Sequence, residues 1–267
     1  MLTRLETIVV EKPWGRTDIP DVFGDFGGRR IGEIWFANPA GDDAPIMVKF
    51  LFTSERLSIQ VHPDDAAAQA AGYPRGKEEC WLILDAQPGA ELGVGLNRHS
   101  SRQELHAAAL DGSIVDMIDW RPSKTDDFVY NRAGTIHAIG PGLTVVEVQQ
   151  NVDCTYRLYD YGRPRELHLS EGLKVSNPAP VHDPRDTVVD PQANLMLVDG
   201  PHFHLTQLAG PVDPAIAEQA TGELIFVPLS AGCRVAGEDV ALGEAVLLTD
   251  PRDIRIEEGG RALLTWT

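Results

Sequence analysis

The chain has 267 residues, 43% of them hydrophobic and 24% charged, and a formal net charge of -17. This composition suits a folded globular protein with one large domain or two small ones and argues against disorder. No run of Lys and Arg supplies the basic footprint of a nucleic-acid partner, and no stretch approaches the roughly 20 apolar residues of a membrane helix. Frequent Gly and Pro, 25 and 19 residues, favour short strands and turns over long helices.

Short apolar or alternating segments bounded by Gly, Pro or Asp predict strands over 31–37, 46–52, 57–62, 80–85, 128–130 and 143–150. Two interruptions read as helical. Pro63 to Ala71 has Pro and Asp at its start and stops at Gly72, and Ser101 with Glu104 forms a capping box for a helix ending near Leu110. A second short helix is expected between Gly112 and Trp120. Beyond the Pro- and Asp-rich stretch 177–191, strands resume at fairly even spacing over 194–198, 202–208, 223–228, 233–236, 245–249, 253–257 and 262–266. The expected organisation is a unit over 1–176 with a helical insertion near 100–120, a linker at 177–191, and a smaller all-β unit over 192–267.

Cys80, Cys154 and Cys233 are widely spaced with no CxxC pair, which predicts free thiols in a reducing cytoplasm. Residues 1–15 show no apolar core of a signal peptide.

The segment Ser58 to Asp65 alternates, so a strand there turns Leu57, Ile59 and Val61 to one side and Ser58, Gln60 and His62 to the other. Lys77 and Glu79 have the same two-residue spacing, and His137 follows the turn at Gly134. Gln60, His62, Glu79 and His137 offer an amide oxygen, a carboxylate and two imidazoles, a set suited to zinc or a similar divalent ion. A single His is more often a hydrogen-bonded structural residue, so spacing alone leaves ligation about even. In the second unit His202 and His204 have HxH spacing and Glu223 is a carboxylate within sequence reach. No later histidine completes the pattern of the first unit, and a metal-free packing or assembly role is expected.

Blocks of the chain resemble, in order, those of the type I mannose-6-phosphate isomerases, especially the compact bacterial branch. They are Lys12-Pro13-Trp14-Gly15, Ile31 to Trp35, Ser58 to Asp65, Lys77 to Leu84, Gly134 to Ala138 and Val146 to Leu167, with Tyr156 to Pro164 particularly close. The resemblance covers about the first 175 residues, far more than a short-motif match. It implies a mainly β fold of two cupin-type (jelly-roll) β-barrels, with one Zn2+ per chain or another divalent metal on Gln60, His62, Glu79 and His137. The implied reaction interconverts mannose 6-phosphate and fructose 6-phosphate through an enediol(ate), in a cytoplasmic enzyme whose partner is the sugar phosphate. A monomer and a homo-oligomer both fit.

The resemblance further points to Asp153 and Arg157 around the reacting carbons, with Lys77 as a third catalytic candidate. Arg157 is assigned to electrostatic stabilisation because a guanidinium stays protonated, while Asp153, Lys77, Glu147 and a metal-ligated group remain open as the base. A structural ion pair between Asp153 and Arg157 is the plainer alternative. Ser58, Lys49 and Glu147 are expected on the substrate, Ser58 and Lys49 at its phosphate, with Arg163 and Arg165 as weaker phosphate candidates. Arg132 departs from the family's usual proline before the Ala-Gly-Thr turn. Competing readings are a non-catalytic cupin that binds sugars or sugar phosphates, and an isomerase of another aldose phosphate.

Overall fold

Alternation along a few strands decides which side chains meet. The computed structural model describes residues 2–267, which form a mainly β protein with four sheets and a few short helices. A seven-stranded sheet runs, in spatial order, Thr187–Val188, Asp127–Asn131, Glu79–Ala86, Leu143–Gln150, Ile46–Phe52, Ile31–Ala37 and Glu6–Arg16. A five-stranded sheet runs Tyr156–Tyr159, Ile59–Val61, His137–Ile139, Glu91–Leu96 and Ile118–Pro122. In neither does the strand order close on itself.

The seven-stranded sheet is buried on both faces. Val48, Phe50, Phe52, Cys80, Leu82, Val146 and Val148 share one core with Leu205, Ile225, Val227 and Leu263 of the C-terminal strands. The alternate residues Leu51, Trp81, Ile83 and Val145 share another core with Leu92, Val94 and Ile139 of the five-stranded sheet. A strand buried on both sides reads as a near-continuous apolar run, so the polar exceptions within it mark the site. Those exceptions include Glu33, Lys49, Glu79, Asn131, Glu147 and Gln149, all buried. The other face of the five-stranded sheet packs Ile59, Val61, Ala138, Tyr156 and Leu158 against Leu105, Ala109 and Leu173 of two helices, Arg102–Asp111 and Leu169–Val175.

The first of these helices starts as its sequence dictates. Ser101 Oγ accepts from the Glu104 amide, and the Glu104 carboxylate accepts from the Ser101 amide in return. Gly112 ends it in the left-handed region at φ 87°. The expected helix between Gly112 and Trp120 is shorter than its sequence suggests. A 3-10 turn covers Ser113–Met117, and Ile118–Pro122 then pairs with Glu91–Leu96 because Ile118 and Trp120 oppose Leu96 and Gly93. Near residue 60 the regular strand begins at Ile59, so the alternation does not extend back to Leu57. Leu57 accordingly joins Leu51 and Trp81 in the core on the cavity side, opposite to Ile59 and Val61.

The C-terminal strands build a six-stranded sheet in the order Thr3–Arg4, Val246–Leu248, Leu224–Pro228, Ala262–Trp266, His204–Leu208 and Leu195–Asp199, beside a small three-stranded sheet. The N-terminal strand Thr3–Arg4 thus lies in the C-terminal sheet, paired with Val246 and Leu247. The segment 177–191 is docked in turn. Thr187–Val188 pairs with Asp127 and Phe128, and Val189 is buried.

Candidate metal centre and active-site cavity

Three strand ends converge at one point. Gln60 pairs directly across from His137, and Glu79 enters from the facing sheet at the register position opposite Asn131. One donor atom from each of His62, Glu79 and His137 lies within 4.8 Å of the other two, and all three residues are buried. His62 Nε2 stands 3.4 Å from Glu79 Oε2, and His137 Nε2 stands 3.3 Å from Glu79 Oε1 and 3.3 Å from the Gln60 amide nitrogen.

Both imidazoles are oriented through their other nitrogen. His62 Nδ1 lies 3.0 Å from the Cys154 carbonyl, and His137 Nδ1 lies 2.9 Å from the Thr135 carbonyl. With Nδ1–H donated to a carbonyl, a neutral ring carries its lone pair on Nε2. Burial depresses both imidazoles, that of His137 to about 3. Burial alone would raise Glu79, but Lys77 and the two imidazoles outweigh it and hold this carboxyl well below the ordinary range. Two imidazole lone pairs therefore face an ionised carboxylate, an arrangement that requires a positive charge between them. Lys77 supplies one, its Nζ lying 2.7 Å from Glu79 Oε2 and 3.1 Å from His62 Nε2. The donor set fits a divalent metal on the same grounds.

A cavity of about 450 Å³ opens from this point and is lined by Ser58, Gln60, Lys77 and Glu79 together with Lys49, Glu147, Asp153 and Arg157. Lys49 is buried, 2.8 Å from Glu147 Oε1, and Glu147 Oε2 accepts from the Trp81 indole at 2.9 Å. Burial works against the Lys49 charge, yet Glu147 and Glu33 more than offset it and raise its pKa. Ser58 donates to Gln60 Oε1 at 3.0 Å.

Arg157 donates to the Glu166 carbonyl at 3.0 Å, and its Nε is buried without a partner. Among the described residues no ion pair joins Arg157 to Asp153, so the plainer alternative for these two is absent. Arg163 and Arg165 are both held by Asp160, and only Arg165 lines the cavity. In the second unit, His204 Nδ1 faces Asp199 at 3.0 Å and its ring stacks on Trp266, His202 faces Asp65 at 3.7 Å, and Glu223 accepts from Asn38. These three side chains do not converge.

Sequence reasoning missed Asn131, whose side-chain nitrogen reaches both Glu79 and His137. The signal available was a polar residue closing the otherwise apolar stretch Phe128-Val129-Tyr130. Arg132, in place of a proline, is anchored by Asp183 on the docked segment. The turn beside it is fixed through the backbone, since Gly134 donates to the His62 carbonyl and accepts from Asn177.

Fold and site together define a mainly β protein with a buried two-His, one-Glu centre opening into a polar cavity. Comparison with known proteins narrows that class. A mannose-6-phosphate isomerase of Bacillus subtilis is 38% identical over 165 residues, which cover 57% of this chain and 52% of that protein. A second Bacillus subtilis relative, named a probable mannose-6-phosphate isomerase, is 32% identical over 211 residues, covering 64% of this chain and 67% of that protein. The crystal structure of a Bacillus subtilis mannose 6-phosphate isomerase superposes with a TM-score of 0.83 at 26% identity, covering 99% of each chain. No family model matches the sequence. The chain belongs to the mannose-6-phosphate isomerase family. The match spans about half the length of the first of these curated relatives.

Proposed function

We propose that this chain is a zinc-dependent aldose–ketose isomerase that interconverts mannose 6-phosphate and fructose 6-phosphate through an enediol(ate). The observation that carries this reading is the meeting of neutral His62, neutral His137 and ionised Glu79 at the end of a cavity that Glu79 lines together with Lys77, Asp153 and Arg157. Gln60, His62, Glu79 and His137 would hold one metal ion, which supplies Lewis-acid polarisation of the carbonyl and adjacent hydroxyl.

The reaction moves a proton between C1 and C2, so charge develops on oxygen while a base handles the carbon-bound proton. Arg157, with its unpartnered Nε, stabilises that oxyanion. Lys77 and Asp153 are the proton-transfer groups, with Glu147 the further candidate for the base. Lys77 is held beside the centre by Glu79, and Asp153 lines the cavity free of an arginine partner. Ser58, Lys49 and Glu147 bind the substrate. Lys49 is already engaged by Glu147, so a phosphate approaching it competes with that carboxylate.

The facing seven- and five-stranded sheets support a cupin-type barrel over 1–176. The six- and three-stranded sheets support a smaller cupin-like unit over 192–267, to which Thr3–Arg4 adds a strand, with 177–191 joining the two units. The three free, buried cysteines are compatible with a reducing cytoplasm. The functional test is a coupled assay of mannose 6-phosphate turnover with metal content measured on the same sample and glucose 6-phosphate as the rival substrate. Chelation is expected to abolish turnover and zinc to restore it, with His137→Ala losing the metal. Full activity in metal-free protein would sink the mechanism.

A further inference from the structure

Asn131 is 1% exposed and closes the strand Asp127–Asn131, where the chain leaves the seven-stranded sheet for the turn that leads to His137 in the other sheet. Its Nδ2 donates to Glu79 Oε1 at 2.9 Å and lies 3.0 Å from His137 Nδ1. The amide orientation follows from its neighbours. Turned over, it would set Oδ1 against the Glu79 carboxylate, oxygen to oxygen. In the observed orientation Oδ1 is buried with no partner. A buried acceptor left unpaired is unfavourable to folding, and the bond from Nδ2 to the buried Glu79 carboxylate is what this residue contributes in return.

We infer that Asn131 is a positioning residue of the metal centre, fixing the Glu79 carboxylate against His137 across the gap between the two sheets. This inference rests on reading the His62–Glu79–His137 group as a metal site. For Nε2 of His137 to act as a ligand, Nδ1 carries the proton and gives it to the Thr135 carbonyl. The donor capacity of Asn131 then falls on Glu79, whose Oε1 accepts from no other side chain among the described residues and lies 3.3 Å from His137 Nε2. With Asn131 in place, one carboxylate rotamer is selected before any metal arrives.

A merely structural asparagine and a positioning one differ in what they change at the metal. Removing either lowers the stability of the metal-free protein, because the buried Glu79 Oε1 loses its donor. Only removal of a positioning residue also frees the carboxylate to turn, which changes the ligand field of a bound ion. The experiment compares wild type, Asn131→Val and Asn131→Leu as full-length chains. The metal-free proteins are melted thermally, Zn2+ is titrated in competition with a chromophoric chelator, and Co2+ is added to record the ligand-field spectrum.

Expected for Asn131→Val is a folded metal-free protein of lower melting temperature, zinc binding weakened about 10- to 100-fold, and a changed Co2+ spectrum. Asn131→Leu, which differs in shape, should reproduce the loss of affinity. Zinc affinity within two-fold of wild type and an unaltered Co2+ spectrum would overturn the inference. So would a loss of zinc affinity with the wild-type Co2+ spectrum retained. Absence of zinc binding by the wild type is a separate outcome. It removes the metal-site reading first, and the role of Asn131 with it.

Discussion

Arg157 presents a buried guanidinium nitrogen with no partner at the wall of the cavity that Gln60, Lys77 and Glu79 also line. Burial and the neighbouring Arg165 both press against its charge, yet an arginine stays protonated, so it is a fixed donor awaiting an anion. Arg157→Ala is therefore expected to leave metal content unchanged and to lower kcat about 10²- to 10³-fold, as loss of one oxyanion donor does elsewhere. An equal loss of metal would assign Arg157 to the fold of the centre instead. Steady-state kinetics and metal analysis on one preparation decide this. The sequence pattern marked Gln60, His62, Glu79 and His137 as candidates and the family resemblance singled them out; the structure brings donor atoms of His62, Glu79 and His137 together, with the Gln60 amide beside His137. Asn131 escaped because an asparagine at a strand end is also a common turn residue, and only the register opposite Glu79 reveals its direction.

At the scale of elements, the loop that delivers Lys77 is clamped by its preceding glycine. A Cβ at Gly76 would lie 2.4 Å from the Asp64 carbonyl carbon and 2.7 Å from the Pro63 oxygen, the same oxygen that accepts from the Lys77 amide. Gly76→Ala must push this loop away from the start of the Asp65–Ala70 helix. The expected cost is about 1–3 kcal/mol in urea unfolding, with a fall in turnover larger than that loss of stability explains, because Lys77 moves with the loop. Unchanged kcat in the folded variant would refute the coupling.

Elements differed in how readable they were. Ile31–Ala37, Ile46–Phe52 and Leu143–Gln150 end where their apolar runs end. The strand Glu6–Arg16 was hidden by Pro13, Gly15 and several charges. It is a sheet-edge strand, mostly exposed until Trp14, and its pairing shifts register twice. His137–Ile139 is three residues long and exists only through its neighbours on both sides.

On the scale of the whole molecule, Asp183 ties the docked segment to the turn before His137. Its carboxylate accepts from Arg132 and Arg185, and Arg185 also covers the Tyr130 ring. Burial pushes the Asp183 carboxyl up, but the two arginines prevail and bring it to about 2. A carboxyl depressed from its unfolded value of about 3.9 contributes stability above that pH and loses it as pH falls through about 2. Asp183→Asn should therefore be less stable than wild type at pH 7, and the gap should narrow steadily below about pH 4. A gap that is constant across that range would show that the ion pairs add nothing. None of this was legible in the sequence, where 177–191 reads as a Pro- and Asp-rich connector. Long-range partners such as Arg132 and Asp183 carry no periodicity to betray them.

The register that sets Gln60 against His137, residues 77 positions apart, has a consequence for how the protein matures. Segments from three distant parts of the chain must pair, each to the correct residue, before the donors meet. A slip by one position would send Ile136 or Ala138 to the place of His137. Capture of a cation by this group is therefore expected to follow strand pairing and not to template it. Refolding followed by stopped flow should show the native fluorescence signal forming at the same rate with and without zinc, while resistance to subsequent denaturation rises with zinc concentration. The ion would act as a lock turned after the door has closed.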